Sequence, residues 1–323
     1  MINKDLDAQI ESPMPVSNAP PAFHLRLLAP KLWPTWLGMF MLWLLIWLPQ
    51  RVRVGMGWVF GELAMRVSAR KRRIVALHIA RCFPEWSSAE QRRTVRRHFH
   101  AASATLLASS FVWWASNRRL QRLVRLRGRE HYDQAVAAGR AIILLVPHFV
   151  AMEVGGKVIG LLRPGVGLYR RSPNPVVEWF MVRGRLHYAS KMFERSEGLM
   201  PLIKLVRKGM PFHYSPDRSP GDGSYVFAPF FGYPVATVDA LGRIAQLARA
   251  QVIPCATKLL PGAQGYELIF RAPLANFPTG DAIADATRMN AEVESLIREM
   301  PEQYMWTYKR FKIQPPGTPP FYG

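Results

Sequence analysis

His148 and Glu153 are the residues whose types and spacing first suggest chemistry. An imidazole with a carboxylate five residues on can act as a general base. The acid fixes the tautomer through one ring nitrogen and stabilises the imidazolium, and the other nitrogen takes a proton from a substrate hydroxyl. Arg170 and Asp217 are the further candidates, and each follows an apolar stretch, as His148 does. The spacing alone is a weak signal. With eight histidines and 22 acidic residues in 323, about half such a match is expected by chance. A strand-end histidine bonded to backbone explains the same pair equally well.

The elements around these residues give them a place. Ala141 to Val146 is an unbroken apolar run, short enough for a strand buried on both faces, and Pro147 ends it. Phe149 to Leu162 reads as a helix interrupted by Gly155-Gly156. Gly165 to Arg170 and Met210 to Ser215 read as further strands. Pro175 to Leu186, Leu199 to Arg207, Ala236 to Ala250 and Asp281 to Met300 read as helices. Gln251 to Leu260 and Tyr266 to Arg271 complete the strands. The predicted fold class is α/β, a central mixed sheet flanked by helices. Ligands of such sheets bind beyond the carboxyl ends of the strands, where His148, Arg170 and Asp217 all fall.

Charge and cysteine content narrow the function classes. The formal charge is +21, from 43 basic and 22 acidic residues, and it predicts an anionic partner. Cys82 and Cys255 stand far apart and form no disulfide framework or zinc spacing. No metal site or cofactor motif is expected. Leu32 to Leu48 is uncharged and carries Trp33, Trp36, Trp43 and Trp47. As one helix it would be about 25 Å long, at the short edge of a membrane span, and its tryptophans suit an interface. A membrane anchor, spanning or half-inserted, is the preferred reading over a buried core helix. Arg51, Arg53, Arg66 and Arg70 to Arg73 follow it, which keeps the larger part cytoplasmic by the positive-inside bias. Arginine clusters continue to Arg129, and beside an anchor they suit acidic headgroups. No nucleic-acid module pattern accompanies them.

The expected organisation is a disordered tail over 1–30, an anchor helix over 31–50 and a basic helical region packing on the core over 51–130. The α/β core then covers 131–317, and a Pro-rich surface tail follows over 318–323.

Several of these stretches together resemble one family. His148-x4-Glu153, Tyr169-Arg170, Gly184-Arg185, Asp217-Arg218, Pro229-Phe-Phe-Gly232 and the run from Pro301 to Lys312 are similar to the late acyltransferases of lipid A biosynthesis, the lauroyl/myristoyl transferases. The resemblance runs from about Leu32 to Gly317. It implies a glycerol-3-phosphate acyltransferase-like fold with an N-terminal hydrophobic membrane helix at the cytoplasmic face of the inner membrane. It implies transfer of a fatty acyl chain from acyl carrier protein to a hydroxyl of an acylated, phosphorylated glycolipid precursor, with no cofactor beyond the donor thioester. His148 and Glu153 are then the catalytic dyad, and Arg170, Arg185 and Asp217 are substrate-binding or oxyanion residues. The expected partners are acyl carrier protein, anionic membrane lipids and the glycolipid acceptor, and not nucleic acid. Two departures bear on the acceptor. Tyr169-Arg-Arg-Ser-Pro173 stands where Tyr-Arg-Pro is frequent, and Arg218 stands where Gln or His is common. An acyltransferase with another glycolipid, phospholipid or aminolipid acceptor, or a non-catalytic basic membrane-binding protein, are the alternatives.

Overall fold

The computed structural model describes residues 21–189, 191–194, 198–221 and 223–322. Residues 1–20, most of the expected tail, lie outside them. The strands are β1 (Val124–Arg127), β2 (Ala141–Leu145), β3 (Val166–Tyr169), β4 (Lys191–Glu194), β5 (Phe212–Tyr214), β6 (Tyr225–Phe230), β7 (Tyr233–Val238), β8 (Ala250–Leu259) and β9 (Tyr266–Phe270). Seven of them form one sheet in the order β1-β9-β8-β2-β5-β3-β4, and β6 pairs with β7 separately. From β8 to β4 the neighbours are parallel, while β9 runs against β8 and carries β1 alongside it. The mixed α/β sheet expected from sequence is present.

Alternation along β2 explains its composition. Ile142 and Leu144 join one apolar layer with α7 (Met152–Leu162), while Ile143 and Leu145 join the opposite layer with α9 (Met200–Arg207) and α10 (Ala240–Ala248). A strand covered on both faces has no polar side to show, so the run is continuous. Each such side chain contributes roughly 1.5–3 kcal/mol by burial. Local signals set the helix starts. Asn174 Oδ1 accepts the N–H of Val176 at 3.0 Å and opens α8 (Pro175–Leu186), with Pro175 in the first turn. Asp281 Oδ1 accepts from Ala284 at 2.7 Å and opens α11 (Ala282–Glu299).

Three expectations change. The helix read over Ala236 to Ala250 is β7 followed by α10. Phe231 and Gly232 both have positive φ, 50° and 77°, and form the two-residue turn that pairs Phe230 with Tyr233. Gly155-Gly156 does not interrupt α7, but α7 starts at Met152 rather than Phe149. The strands β1 and β4 lie within stretches that carry charged residues and show no apolar run.

The stretch expected as one anchor helix over 31–50 is not a single helix. The apolar stretch folds as α1 (Trp33–Leu44), a 3-10 turn (Leu45–Trp47) and, after Pro49, α2 (Gln50–Val67). No helix among the described residues is long and apolar enough to cross a membrane. At 12 residues, α1 is about 18 Å long against a hydrocarbon core of about 30 Å. Pro49 has no N–H to continue the helix and the chain turns there, with the Leu45 carbonyl taken by the Leu48 N–H at 3.2 Å and the Ile46 carbonyl by Arg119. Next, α2 lies along α4 (Ser88–Trp114), where a Cβ on Gly57 would meet Ala104 at 2.5 Å and one on Gly61 would meet His100 at 2.8 Å. Only glycine allows that approach. Within residues 21–30, Leu27 is buried against Leu32 and Val176.

The end of the chain also returns to the body. His78 donates from Nδ1 to the Trp306 carbonyl at 2.7 Å, and its Nε2 accepts from the Tyr322 hydroxyl. His98 donates to the Glu302 carbonyl at 3.1 Å. Burial lowers the pKa of both rings from 6.5 to about 4. The native state therefore holds them neutral where the unfolded chain takes up protons, and stability is complete above about pH 6.5. Stability, and the thermal midpoint with it, should fall as pH drops from 6.5 towards 4, the stability by about 1.4 kcal/mol per pH unit for each such ring. Calorimetry across that range checks this, and a flat profile would contradict it.

Candidate active site

The parallel pairing of β2 with β5 brings the first two site residues together. Leu145 lies opposite Tyr214, so His148 and Asp217 each stand three residues past a paired position. The Asp217 carboxylate takes two bonds from His148, one from the backbone N–H at 2.8 Å and one from Nδ1–H at 2.6 Å. Asp217 is buried and the His148 side chain retains 15% exposure. Burial would raise the Asp217 pKa, but the His148 ring, its two hydrogen bonds and Arg310 outweigh it, and the net shift is downward. His148 Nε2 makes no hydrogen bond among the described residues and faces the open side.

Glu153 does not take the place expected for it. Its carboxylate forms an ion pair with Arg185, whose Nε approaches at 3.2 Å and whose terminal nitrogen lies closer still. The reason is local. Val150 donates to the Gln303 carbonyl at 2.8 Å, Phe149 bridges to Tyr304, and Met305 donates to the His148 carbonyl at 2.9 Å. This clamp keeps residues 148–150 out of the helix, and α7 starts only at Met152, so Glu153 meets α8 instead of the imidazole. It also occupies the amide of Val150, while the Phe149 amide bonds to the Pro147 carbonyl. These are the N–H groups that an earlier helix start would have left free for an oxyanion. Burial works against the Arg185 charge, but the Glu153 carboxylate more than offsets it, and the guanidinium pKa is raised.

Arg170 follows β3 on the same crest, two strands from His148, and is exposed. Arg171 pairs with Glu194 at 2.9 Å. The C-terminal run adds residues to which sequence reading gave no separate role. Tyr308 packs its ring edge-on to His148, with centroids 5.3 Å apart, and Arg218 lies 4.4 Å above the Tyr308 ring. Burial raises the Tyr308 phenol pKa; Arg218 lowers it, and the Asp217 and Glu153 carboxylates raise it. Both acids are therefore felt at one ring beside the imidazole. The signal was available, since this run is the most distinctive in the chain, but its contact with residues 148–150 needs coordinates.

A cleft of about 110 Å³ opens beside the Glu153–Arg185 pair. It runs between α7 and strands β3 and β5, lined by Gly156, Gly160, Gly167, Tyr188, Met192 and His213. From Glu153 to Arg163 it follows ten residues of helix, about 15 Å. A larger, shallower depression of about 670 Å³ lies around Arg127 and Arg271. It is poor in chemistry, because those arginines are already paired with Glu267, Glu292 and Glu299.

Comparison with known proteins decides the family. The family described as "Bacterial lipid A biosynthesis acyltransferase" matches residues 21–313. The chain belongs to that family. It is 36% identical over 303 residues to the lipid A biosynthesis lauroyltransferase of Escherichia coli K12, covering 94% of this chain and 99% of that one. It is 29% identical to the palmitoleoyltransferase of the same organism, over 93% and 98% of the two chains. The myristoyltransferase is 28% identical, over 92% of each. The protein is an acyltransferase of lipid A biosynthesis, as the sequence motifs implied.

The Glu153–Arg185 pair is partly shielded, with 27% and 19% of the side chains exposed. A double-mutant cycle with Glu153→Gln and Arg185→Met should give a coupling of about 0.5–3 kcal/mol in denaturant unfolding. Additive losses would show that the pair is not maintained in solution.

Proposed function

We propose that this acyltransferase moves a fatty acyl chain from acyl carrier protein to a hydroxyl of an acylated, phosphorylated lipid A precursor, with His148 as base and Asp217 as its partner. The observation that carries this reading is the bond from His148 Nδ1 to Asp217 with Nε2 left free at the strand crest. His148 Nε2 takes the proton of the acceptor hydroxyl as its oxygen attacks the thioester carbonyl. Asp217 holds the tautomer and stabilises the imidazolium. The tetrahedral oxyanion collapses, the carbon–sulfur bond breaks, and the imidazolium returns the proton to the thiolate. Glu153 acts indirectly, by orienting Arg185. That guanidinium, at the mouth of the cleft, supplies positive charge to the oxyanion. The cleft along α7 holds the acyl chain being transferred. Arg170 and Arg218 bind acceptor phosphate, and Tyr308 supports both Arg218 and the imidazole.

The reaction takes place at the cytoplasmic face of the inner membrane, with the N-terminal helices lying in the leaflet rather than crossing it. In α1 no residue is buried, and Trp33, Leu37, Phe40 and Trp47 are 62%, 59%, 51% and 72% exposed. On α2, Trp58, Val59, Leu63 and Val67 are exposed as well. Exposed apolar side chains in such number suit an apolar partner surface. Arg51, Arg66 and Arg70 to Arg73 stand near it, as contact with anionic headgroups requires. The wider basic surface also suits acyl carrier protein, which is acidic.

Transfer assays on purified variants test the site. His148→Ala should lower kcat at least a hundredfold with the fold retained, and Asp217→Asn should cost at least tenfold. Glu153→Gln should cost less than Asp217→Asn. Normal turnover by His148→Ala would remove the base from the mechanism, and a greater loss at Glu153 than at Asp217 would return the dyad to the acid on α7. For the surface, the intact protein should stay with vesicles containing anionic lipid in moderate salt, because apolar contact is not screened. The triple change Trp33→Ser, Phe40→Ser and Trp47→Ser should make binding salt-sensitive. Release of the unaltered protein by salt alone would refute the inserted surface.

A further inference from the structure

One atom in the cleft along α7 has no use for an unadorned hydrocarbon. His213 lies on β5 between Phe212 and Tyr214, which join the α9–α10 layer. Strand alternation turns His213 the other way, into the cleft that it lines. Its Nε2 is shielded from solvent and has no hydrogen-bond partner among the described residues. Burial lowers the ring's pKa from 6.5 to about 4, with Glu153 raising it and Arg185 lowering it, so the imidazole is neutral at physiological pH. The walls around it offer little in exchange. A Cβ added to Gly156 would stand 3.8 Å from His213 Cε1 and 4.0 Å from the Tyr188 ring. One added to Gly167 would stand 3.3 Å from the Met192 sulfur. Gly156 leaves room beside the imidazole, and a buried unpaired polar atom on a ring that lines such room calls for a polar partner.

We propose that the acyl chain taken by this cleft bears a hydroxyl near its thioester end, and that His213 Nε2 recognises it. The position follows from the helix. Gly156 lies three residues along α7 from Glu153, about 4.5 Å, and the proposed function puts the thioester at the Glu153 end of the cleft. The hydroxyl is therefore on one of the first few carbons. A neutral imidazole nitrogen either donates to a hydroxyl or accepts from it, so recognition needs no charge. An analogue lacking the hydroxyl leaves the nitrogen unpaired, and sites built to bond a hydroxyl discriminate on that account. His213 is then a specificity residue and takes no part in the proton transfer at His148. The inference rests on the reading that the cleft holds the transferred chain.

The test uses the full-length protein in detergent and two free fatty acids of equal length, one saturated and one hydroxylated at the second or third carbon. Calorimetric titration should show the hydroxylated acid binding about tenfold tighter. His213→Phe should remove that preference, and His213→Gln, which keeps a donor and an acceptor, should retain some of it. The Gln variant keeps the proposal testable if the Phe variant does not fold. Equal affinities for the unaltered protein, binding of neither acid, or a preference unchanged in the variants would overturn it. Acyl transfer from the matching carrier-protein thioesters is a separate arm. Absence of transfer alongside intact discrimination in binding would count against the donor reading and leave the role of His213 in place.

Discussion

Hydrogen bonding between β2 and β5 fixes Leu145 against Tyr214, and the geometry of the site follows from that register. Two parallel strands in register end together, so residues equally far past their ends meet. His148 and Asp217 are such a pair. A slip of one residue would turn the alternating side chains of one strand to the wrong layers, and burial of Ile143 and Leu145 on one face with Ile142 and Leu144 on the other forbids it. The apolar cores on both sides of the sheet thus specify a polar contact that lies outside them. The Asp217 carboxylate is buried, yet its two bonds from His148 and the nearby Arg310 keep it ionised. Without those partners a carboxyl so placed would take up a proton and lose the ability to stabilise an imidazolium.

The second constraint is the C-terminal run. Gln303, Tyr304 and Met305 bond to Val150, Phe149 and His148 and keep that segment out of α7. The result is a division of labour between the two carboxylates. One holds the imidazole, and the other holds Arg185 at the head of the cleft. His78 and His98 secure the same run from beneath through Trp306 and Glu302. Tyr308 then reaches His148 from a backbone held at both ends. Distant segments of the chain, α3 (Ala69–Cys82), α4 and the final residues, therefore bear on the position of one ring.

Much of this was legible in the sequence. The run Ala141 to Val146, the crest positions of His148, Arg170 and Asp217, and the family motifs follow from residue type and order. The partner of His148 was not legible, because a five-residue spacing fits a helix starting at Phe149 but not one starting at Met152. The start depends on a β-bridge to Tyr304, more than 150 residues away, and spacing carries no trace of it. The hairpin of β6 and β7 was hidden for another reason. Ala236 to Ala250 contains helix-forming residues throughout, and only the left-handed Phe231-Gly232 pair, with Phe231 N–H bonded to Glu294, marks the strand before it. The short strands β1 and β4 lack an apolar run because they lie at the two edges of the sheet, where each strand partly meets water.

The N-terminal stretch shows why hydropathy alone overstates a membrane span. Leu32 to Leu48 meets the length criterion as a string, but Pro49 turns the chain, and the close fit of Gly57 and Gly61 on α4 ties α2 to the body. A spanning helix has to leave the protein surface, whereas α2 lies along it. Apolar residues on α1 and α2 then face outward together from a fixed platform. That platform belongs to the same body as the strand crest, because α4, on which α2 rests, also carries His98 beneath the C-terminal run. The position of the apolar face relative to His148 is accordingly a property of the fold. Under the proposed insertion of α1 and α2 into a leaflet, the packing of α2 on α4 would convert the depth of entry into a fixed height of the imidazole above the lipid.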